Sequence, residues 1–130
     1  MHDLKKAMAA SANGMGAQSM RLRLLAENLA NAETPGYRRK TVNFETVIDR
    51  DRGVAVVEPG RILLDDRPGR ERLEPGHPLA DERGMVTLSN VDPLIELADA
   101  REAHRSYEAS VGMFDRARRM HSSMLDLLRR

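Results

Sequence analysis

The residue types that could do chemistry in this chain are histidines and carboxylates, since it contains no cysteine. The four histidines are His2, His77, His104 and His121. They lie too far apart in the sequence for two of them to share one helical face as metal ligands. The acidic pair Asp65-Asp66 falls in a predicted exposed loop, where nothing builds the pocket that a general acid and base require. We therefore predict no catalytic residue, no metal site and no enzyme activity.

Nucleotide and nucleic-acid binding are also poorly supported. No Gly-x-Gly-x-x-Gly or Gly-x4-Gly-Lys-Ser/Thr loop occurs, so no cofactor is predicted. Arginines enrich the end of the chain, and Arg38-Arg39-Lys40 forms a second basic cluster. The formal net charge is only +1, whereas a nucleic-acid-binding domain usually carries a clear positive excess. A small helical DNA-binding or regulatory protein is the alternative from a different class, and its affinity for DNA would fall steeply with salt.

Two long amphipathic segments, one at each end of the chain, predict two helices, and these helices must position any site. From about Asp3 to Ala32, apolar and small residues recur at spacings of three and four, which is the heptad pattern of a coiled coil. A second pattern extends from about Asp92 to Leu128, with Asp92 as N-cap and Pro93 in the first turn. We predict that the helices pair as one coiled-coil domain. The predicted interface residues are Leu4, Met8, Met15, Leu22, Leu25, Leu29, Tyr107, Phe114, Ala117, Met124 and Leu128.

The composition predicts that other chains cover part of the apolar surface. Aromatic residues make up only 3% of the chain and charged residues 32%, while eight methionines contribute to the apolar content. Such a chain lacks the large side chains that usually dominate a core. Gly14 and Gly16 weaken the first helix further, by roughly 1 kcal/mol each. We therefore expect this helix to form firmly only against partners.

The middle of the chain contains short β candidates between turn signals. The strand candidates are Thr41–Ile48, Val54–Val57, Arg61–Leu64 and Met85–Leu88. The predicted turns or breaks are Pro59-Gly60, Pro68-Gly69, Pro75-Gly76 and Arg83-Gly84, and residues 65–80 are predicted to be an exposed loop. The fold class is thus mainly α, with helical ends (residues 1–37 and 92–130) around a small β-containing insertion (residues 38–91).

The first helix ends in the most informative stretch of the chain, residues 28–37. Pro35 lacks a backbone donor and restricts Thr34, and Gly36 permits a chain reversal, so the stretch predicts a helix stop. It resembles the N-L-A-N-x-x-T-P-G-Y signature of bacterial flagellar rod and hook proteins. The residues that match the signature are Asn28, Leu29, Ala30, Asn31, Thr34, Pro35, Gly36 and Tyr37.

Two later segments resemble the proximal rod members of that family. Residues 73–92 are similar to their E-P-G-H-P-x-A-D-x-x-G-Y-V-x-x-x-N-V-D region, and residues 100–111 to their A-S-R-x-Y-E-A-N-V helix. Met85 stands where an aromatic residue is usual, and Ser110 replaces a frequent Asn. The resemblance implies a structural subunit of the flagellar proximal rod, with a sister rod subunit as the alternative within the family.

The resemblance also implies partners and a location. Rod proteins assemble with one another and with copies of themselves into a helical tube that transmits torque in the periplasmic space. They leave the cell unfolded through the flagellar type III export apparatus, which agrees with an N-terminus that lacks a cleavable signal. No apolar run reaches the roughly 20 residues of a membrane span. Phe44 and Ile48 resemble the F-x-x-x-Φ pattern presented to the export gate, although both could instead be core residues of a strand.

Overall fold

The computed structural model describes residues 2–130, and two long helices dominate it. Helix α1 (His2–Ala30) and helix α2 (Pro93–Leu128) together make up about half of the chain. Between them, strand β1 (Lys40–Asp49) pairs with β2 (Val54–Leu64), and β3 (Glu71–Leu73) pairs with β4 (Met85–Thr87). Both pairs are antiparallel. The predicted arrangement of terminal helices around a small β-containing middle is confirmed.

The helices lie side by side in antiparallel orientation. In the middle of α1, Gly14 is so close to α2 that an added Cβ would lie 3.0 Å from Ser110 Oγ. Near the end of α1, the Asn28 side-chain amide donates to the Glu96 carboxylate at the start of α2. The helices are therefore in contact along the second half of α1. Among residues 2–130, neither helix has an apolar stretch of the length needed to cross a membrane.

Helix α1 stops at Ala30, two residues before the predicted end. The chain then turns, because the Asn31 side-chain amide donates back to the Glu27 carbonyl at 2.8 Å and the Thr34 N–H donates to the Asn31 carbonyl at 3.0 Å. Gly36 has a φ of 75°, which a residue with a side chain rarely adopts. The Gly36 N–H donates to the Thr87 carbonyl at 3.0 Å. The predicted helix stop is confirmed.

Helix α2 begins as the sequence predicts. Asp92 is the N-cap, and its carboxylate accepts a hydrogen bond from the Leu94 N–H at 3.0 Å. Pro93 occupies the first helical position, where its missing N–H leaves no hydrogen bond unmade.

The structure corrects the predicted break at Pro59-Gly60. This dipeptide lies inside β2, at a point where the pairing of β1 with β2 shifts. Val42 pairs with Ile62, but Phe44, two residues later, pairs with Pro59, three residues earlier in β2. One extra residue in β2 therefore forms a bulge, a position at which a strand tolerates proline. Gly60 is required at this point, since an added Cβ would lie only 2.9 Å from the Asn43 carbonyl oxygen.

The structure also corrects the predicted exposed loop at residues 65–80. Glu71–Leu73 forms β3, and Leu73 pairs with Met85 of β4. All three residues of β3 are exposed, so no alternation of apolar and polar residues marked the strand. The turn that precedes β4 ends at Gly84, whose φ is 77°.

The hydrophobic core is small and is concentrated where α1 ends and α2 begins. Its buried apolar residues are Leu24, Leu25, Ala32, Val86, Leu88, Val91, Ala103 and Ala117. In the middle of α1 the long β1–β2 hairpin is attached through a pair of polar contacts. Asn13 on α1 accepts from the Val57 N–H at 2.6 Å and donates to the Val57 carbonyl at 2.8 Å, as a neighbouring strand would.

Candidate functional site: a polar cluster and two open apolar surfaces

Asn28, the first residue of the signature, is completely buried between α1, β1 and α2. Its side-chain oxygen accepts from the Tyr37 hydroxyl at 2.8 Å and from the Lys40 N–H at 2.9 Å. Its side-chain nitrogen donates to the Lys40 carbonyl at 2.8 Å and to the Glu96 carboxylate at 3.4 Å. The buried amide thus uses its full hydrogen-bonding capacity, and it sets the path of the chain from α1 into β1.

Glu96 brings a buried negative charge to the same place. Only 1% of Glu96 is exposed, and its carboxylate forms an ion pair with the guanidinium group of Arg39. Arg39 also lies 3.3 Å from the Asp99 carboxylate, and its backbone N–H donates to the Asn90 side chain at 2.6 Å. A carboxylate withdrawn from water is stable only when it is paired and hydrogen-bonded. We call Asn28, Tyr37, Arg39, Asn90 and Glu96 the polar cluster.

The Tyr37 hydroxyl is held in its protonated state. Burial raises the pKa of Tyr37, and the negative charge of Glu27 raises that pKa further. At neutral pH the phenol therefore remains a hydrogen-bond donor to Asn28. Glu27 is itself paired with the ammonium group of Lys40, and this hydrogen bond raises the pKa of Lys40.

Ser89 and Asn90 fasten the segment before α2 to the rest of the chain. The buried Ser89 hydroxyl donates to the Ala32 carbonyl in the turn after α1. The Asn90 side chain donates to the carbonyl oxygens of Asp65 and Arg67 at 3.0 and 2.9 Å. The polar cluster therefore joins both helices and the connecting segments at one end of the molecule, which we call the motif end.

The other signature residues shape the surface of the turn. Asn31, Pro35 and Tyr37 are half-buried, whereas Ala30, Thr34 and Gly36 are exposed. Leu29 is 37% exposed although Asn28 beside it is fully buried. Successive residues are about 100° apart around a helix, and at the end of α1 the side that faces Tyr37, Lys40 and Glu96 is the side of Asn28.

The predicted interface residues occupy different environments in the single chain. Leu25 and Ala117 are buried, and Leu29, Met124 and Leu128 are exposed. The remaining predicted interface residues are half-buried, and they are Leu4, Met8, Met15, Leu22, Tyr107 and Phe114. Whether these side chains meet other subunits stays a prediction, as does the coiled-coil geometry.

Arg39, Ser89, Asn90 and Glu96 were not predicted as site residues. The sequence did contain one signal for Glu96. Glu96, Ala100 and Ala103 are spaced by four and three residues, so Glu96 continues the heptad pattern of α2 toward its start. A charged residue at a seam position indicates a buried partner. The identity of that partner could not be predicted, because Arg39 lies 57 residues away in the sequence.

The first open apolar surface is a stripe along the last turns of α2. Met113, Met120 and Leu127 are spaced seven residues apart and are 58%, 57% and 68% exposed. Met124, 38% exposed, lies between the last two. We call these four residues the methionine stripe. Exposed apolar residues aligned in this way are a candidate protein-contact surface.

The second open surface is a groove at the opposite end from the polar cluster. It is a cavity of about 440 Å³ between the start of α1, the turn that joins β1 to β2, and α2. Its apolar lining comes from Met8, Ala9, Ala12, Val54 and Phe114. Its basic lining comes from His2, Lys5, Lys6 and Arg52. We call this surface the basic-rimmed groove.

The two candidate export residues lie on β1. Phe44 is half-buried, whereas Ile48 is 73% exposed. Because they are four residues apart on a strand, their side chains point to the same side of the hairpin.

Within residues 2–130, no three histidine or carboxylate side chains are grouped as metal ligands.

The structure thus combines paired helices, a buried polar cluster and uncovered apolar surfaces. Comparison with protein families identifies the class of protein to which the chain belongs. Residues 8–38 match the family model described as "Flagella basal body rod protein". Residues 82–127 match the family model described as "Flagellar basal body rod FlgEFG protein C-terminal".

Individual relatives narrow the assignment. "Flagellar basal-body rod protein FlgC" of Agrobacterium fabrum is 41% identical over 136 aligned positions, which cover 99% of this chain and 98% of the relative. The FlgC proteins of Aquifex aeolicus and Salmonella typhimurium are 36% and 32% identical and cover 88% of this chain, with 89% and 90% of their own lengths aligned. The chain belongs to the FlgC family of flagellar basal-body rod proteins.

This membership confirms the prediction of a structural subunit of the basal-body rod. It favours that function over a small DNA-binding protein, and FlgC over a sister rod subunit such as FlgB. The two matched regions also contain the two sides of the polar cluster. Asn28 and Tyr37 lie in the first region, and Glu96 lies in the second.

Proposed function

We propose that this subunit polymerises with other proximal rod subunits and with copies of itself through its two helices, forming a tube that transmits torque. One observation carries the proposal. Among residues 2–130, sixteen large apolar side chains are exposed and only five are fully buried, so the chain alone leaves more large apolar side chains exposed than it buries. Nine of the sixteen exposed residues lie on α2. Neighbouring subunits would cover this surface.

The chemistry of the methionine stripe suits contacts with neighbours that are not all alike. Methionine is unbranched and flexible, so one side chain can fill gaps of different shape. In this proposal the helices of adjacent subunits pack in coiled-coil geometry through the predicted interface residues. Residues 1–37 and 92–130 then act as one helical domain, with residues 38–91 as an insertion.

The proposal places the protein in the periplasmic part of the basal body, after export through the flagellar type III apparatus without a cleaved signal peptide. Phe44 and Ile48 would be presented to the export gate while the chain is unfolded. Their common side of β1 is compatible with recognition of an extended segment, in which residues four apart share one face.

Replacing Met120 by Asp tests assembly through the methionine stripe. Met120 is 57% exposed, so the charge leaves the isolated chain folded, but it would be buried without a partner in a subunit contact. In cells that lack their own copy, we expect a secreted subunit, no incorporation into isolated basal bodies and no motility.

The matched control is Ser122→Asp, which puts the same charge on an exposed site two residues later, on nearly the opposite side of α2. Cells with Ser122→Asp should swim. Motile cells with Met120→Asp in their rods would contradict the proposal, and so would an equal defect in both variants.

Replacing Phe44 by Ala tests export recognition. We expect less secreted protein with normal amounts inside the cell, because the extended segment would lose its aromatic anchor. The neighbouring Glu45→Ala is the control, since Glu45 is exposed and points to the other side of β1. Normal secretion of the Phe44 variant would contradict the proposal that the export gate recognises Phe44. It would not affect the proposal that the protein is a rod subunit.

A further inference from the structure

We propose that the β1–β2 hairpins of two copies of this chain join edge to edge, with β1 of one copy pairing with β2 of the next. The inference rests on the proposed function as a rod subunit and names a surface through which two copies meet. The hairpin is a sheet of only two strands, so each strand has an outer edge. Backbone N–H and C=O groups along an outer edge can bind a further strand.

Helix α1 covers one place on each outer edge through an asparagine side chain. Asn13 hydrogen-bonds to both backbone groups of Val57 on β2, and Asn28 does the same for Lys40 on β1. Val57 lies in the half of β2 nearer the turn, whereas Lys40 is the first residue of β1. The covered places are therefore on opposite edges and in opposite halves of the hairpin. This arrangement leaves the edge of β1 open near the turn and the edge of β2 open near its end.

The contact with Asn13 shows which backbone groups of β1 point outward. In an antiparallel pair, facing residues alternate between pairs that exchange hydrogen bonds and pairs whose backbone groups point away from the other strand. Val57 directs its N–H and carbonyl to Asn13, so Val57 and the facing residue Thr46 form a pair of the second kind. The alternation gives Ile48, two residues after Thr46, the same outward direction.

The contact with Asn28 gives the corresponding result for β2. Lys40 directs its backbone groups to Asn28, so the facing residue Leu64 points away from β1, as does Ile62 two residues earlier. Within residues 2–130, the outward backbone groups of residues 46, 48, 62 and 64 have no hydrogen-bond partner in the protein. We call residues 46–49 the free edge of β1 and residues 61–64 the free edge of β2.

The side chains on the two free edges suit each other. Ile48 is 73% exposed and Ile62 is 48% exposed, although both are large and apolar. When Ile48 faces Ile62 of a second copy, Val47 faces Leu63 of that copy. Apolar side chains then meet on both faces of the new strand pair, and the outward backbone groups meet in register.

Charge supports the same register. It places Asp49 opposite Arg61 of the second copy, and Arg61 forms no ion pair within residues 2–130. Asp49 has only the Arg52 guanidinium beside it, at 3.7 Å. A shift by two residues in either direction would instead set one of these charged residues opposite an apolar one. Facing residues of opposite charge stabilise a strand pair.

The orientation of the strands allows the contact to repeat. Because β1 and β2 are antiparallel within the chain, β1 of one copy is antiparallel to β2 of the next when both copies have the same orientation. Such a heterologous contact leaves one free edge at each end of the pair, so further copies can add. Pairing of β1 with β1 would instead close a dimer and leave the free edge of β2 uncovered. A subunit that polymerises requires the repeating contact.

Disulfide trapping between two single-cysteine variants tests this contact. The chain contains no cysteine, so each variant carries one defined thiol. Val47→Cys and Leu63→Cys would face each other across the contact in a pair without shared hydrogen bonds, where Cβ atoms are about 4.5–5.5 Å apart. One variant carries a size tag, and the two full-length chains are mixed and oxidised. The matched control is Val56→Cys, because Val56 is also half-buried and faces Val47 but lies on β2, one strand further from the second copy.

We expect the tagged–untagged dimer to form several-fold faster for the Val47–Leu63 pair than for the Val56–Leu63 pair. Equal rates for the two pairs would overturn the proposal. Faster trapping between tagged and untagged Val47→Cys chains would also overturn it, because that result indicates pairing of β1 with β1.

Thr46→Pro tests whether backbone hydrogen bonds carry the contact. Proline removes the outward N–H of residue 46 and leaves the hydrogen bonds between β1 and β2 in place, since an edge position tolerates proline. Added to the Val47→Cys chain, Thr46→Pro should remove the rate difference, whereas Thr46→Ala should keep it. Trapping that is equally fast with Thr46→Pro would contradict strand pairing.

A charge variant makes the test independent of any effect of proline on the hairpin. Arg61 is exposed, and Arg61→Glu on the Leu63→Cys chain would set a carboxylate opposite Asp49. We expect trapping to slow several-fold. A rate unaffected by Arg61→Glu would overturn the proposed register.

A photo-crosslinker attached to the Leu63→Cys thiol extends the test to isolated basal bodies. A cross-linked product containing two copies of this chain supports the contact, whereas a product with a different rod protein overturns it. Failure here is distinguishable from failure of the proposed function. If the strand pairing is wrong but Met120→Asp still abolishes incorporation, the rod function stands and only the edge-to-edge contact is rejected.

Discussion

The two ends of the helical pair are built in different ways. At the motif end, Asn28 and Glu96 are buried with their polar groups paired, and most of the apolar core lies around them. At the other end, the helices flank an open groove, and the residues that line it include lysines without ion pairs within the described part of the chain. The chain's own buried packing is thus concentrated at the motif end, whereas the groove end stays open.

The difference between the two ends explains why the family signature, residues 28–37, lies at the motif end. The first residue of the signature is an internal hydrogen-bonding centre. Its proline and glycine turn the chain so that Tyr37 and Arg39 return to the helices. Residues near the groove need no such pattern, since apolar side chains can pack against partners in many combinations.

The largest expected effect comes from Glu96→Ala at the motif end. Removing the carboxylate leaves Arg39, whose side chain is 17% exposed, without its buried partner. We expect a loss of about 3–5 kcal/mol in the free energy of unfolding, measured by urea denaturation.

Glu102→Ala is the control on the same helix. Its carboxylate is 67% exposed and lies 3.6 Å from Arg21, so its removal should cost at most about 1 kcal/mol. Equal losses for the two variants would show that the polar cluster does not hold the motif end together.

The next largest effect is expected for Gly69→Ala. An added Cβ at Gly69 would lie 1.9 Å from the Leu88 carbonyl oxygen, so the backbone beside the core must shift. We expect a loss of about 1–3 kcal/mol in thermal or urea unfolding. Gly76→Ala, with no atom within 4 Å of the added group, should change stability by less than about 0.5 kcal/mol. A neutral Gly69 variant would contradict the close packing at the motif end.

Much of the fold could be predicted because its signals are local. The N-cap at Asp92, the proline after it and the helix stop within residues 28–37 act within one or two turns, and each is confirmed. Pro59-Gly60 was predicted wrongly because a proline and glycine mark a bulge as readily as a turn. β3 was missed because its three residues are exposed and carry no apolar pattern.

The site was harder to predict because its partners are distant in sequence. The signature itself was recognised from residues 28–37, but the ion pair of Arg39 with Glu96 joins the connection after α1 to the first turns of α2. The heptad repeat also places Leu29 at the helix interface, whereas the structure buries Asn28, whose amide bonds Tyr37, Lys40 and Glu96. Local pattern thus predicted the elements, and tertiary geometry decided which of their residues meet.

A smaller effect is expected for Tyr37→Phe, which sharpens the comparison within the polar cluster. The variant keeps the ring but loses the 2.8 Å hydrogen bond to the Asn28 side chain. We expect a loss of about 0.5–1.5 kcal/mol in the free energy of unfolding. Tyr107→Phe is the control, because within residues 2–130 the Tyr107 hydroxyl has no hydrogen-bond partner in the protein. If both substitutions lower the free energy of unfolding equally, the Tyr37–Asn28 hydrogen bond makes no specific contribution to stability.

The smallest effect is expected in the middle of α1, between the two ends, and it is stabilising. Gly16 is exposed in α1, and an added Cβ would touch nothing within 4 Å, so Gly16→Ala should stabilise the chain by about 0.5–1 kcal/mol. Gly14→Ala should gain less, because its Cβ would press on Ser110 Oγ at 3.0 Å. A rise in the urea midpoint for Gly14→Ala that equals that of Gly16→Ala would show that the helices are not in close contact there.

Hydrogen exchange of the isolated chain, followed by mass spectrometry, tests the difference between the two ends most directly. Slow exchange is predicted for the backbone around residues 24–30 and 93–103, where the polar cluster and the core lie, and much faster exchange for residues 2–12 and 113–128. Uniform protection along both helices, or stronger protection at the groove end, would contradict the account that the chain's own packing is concentrated at the motif end.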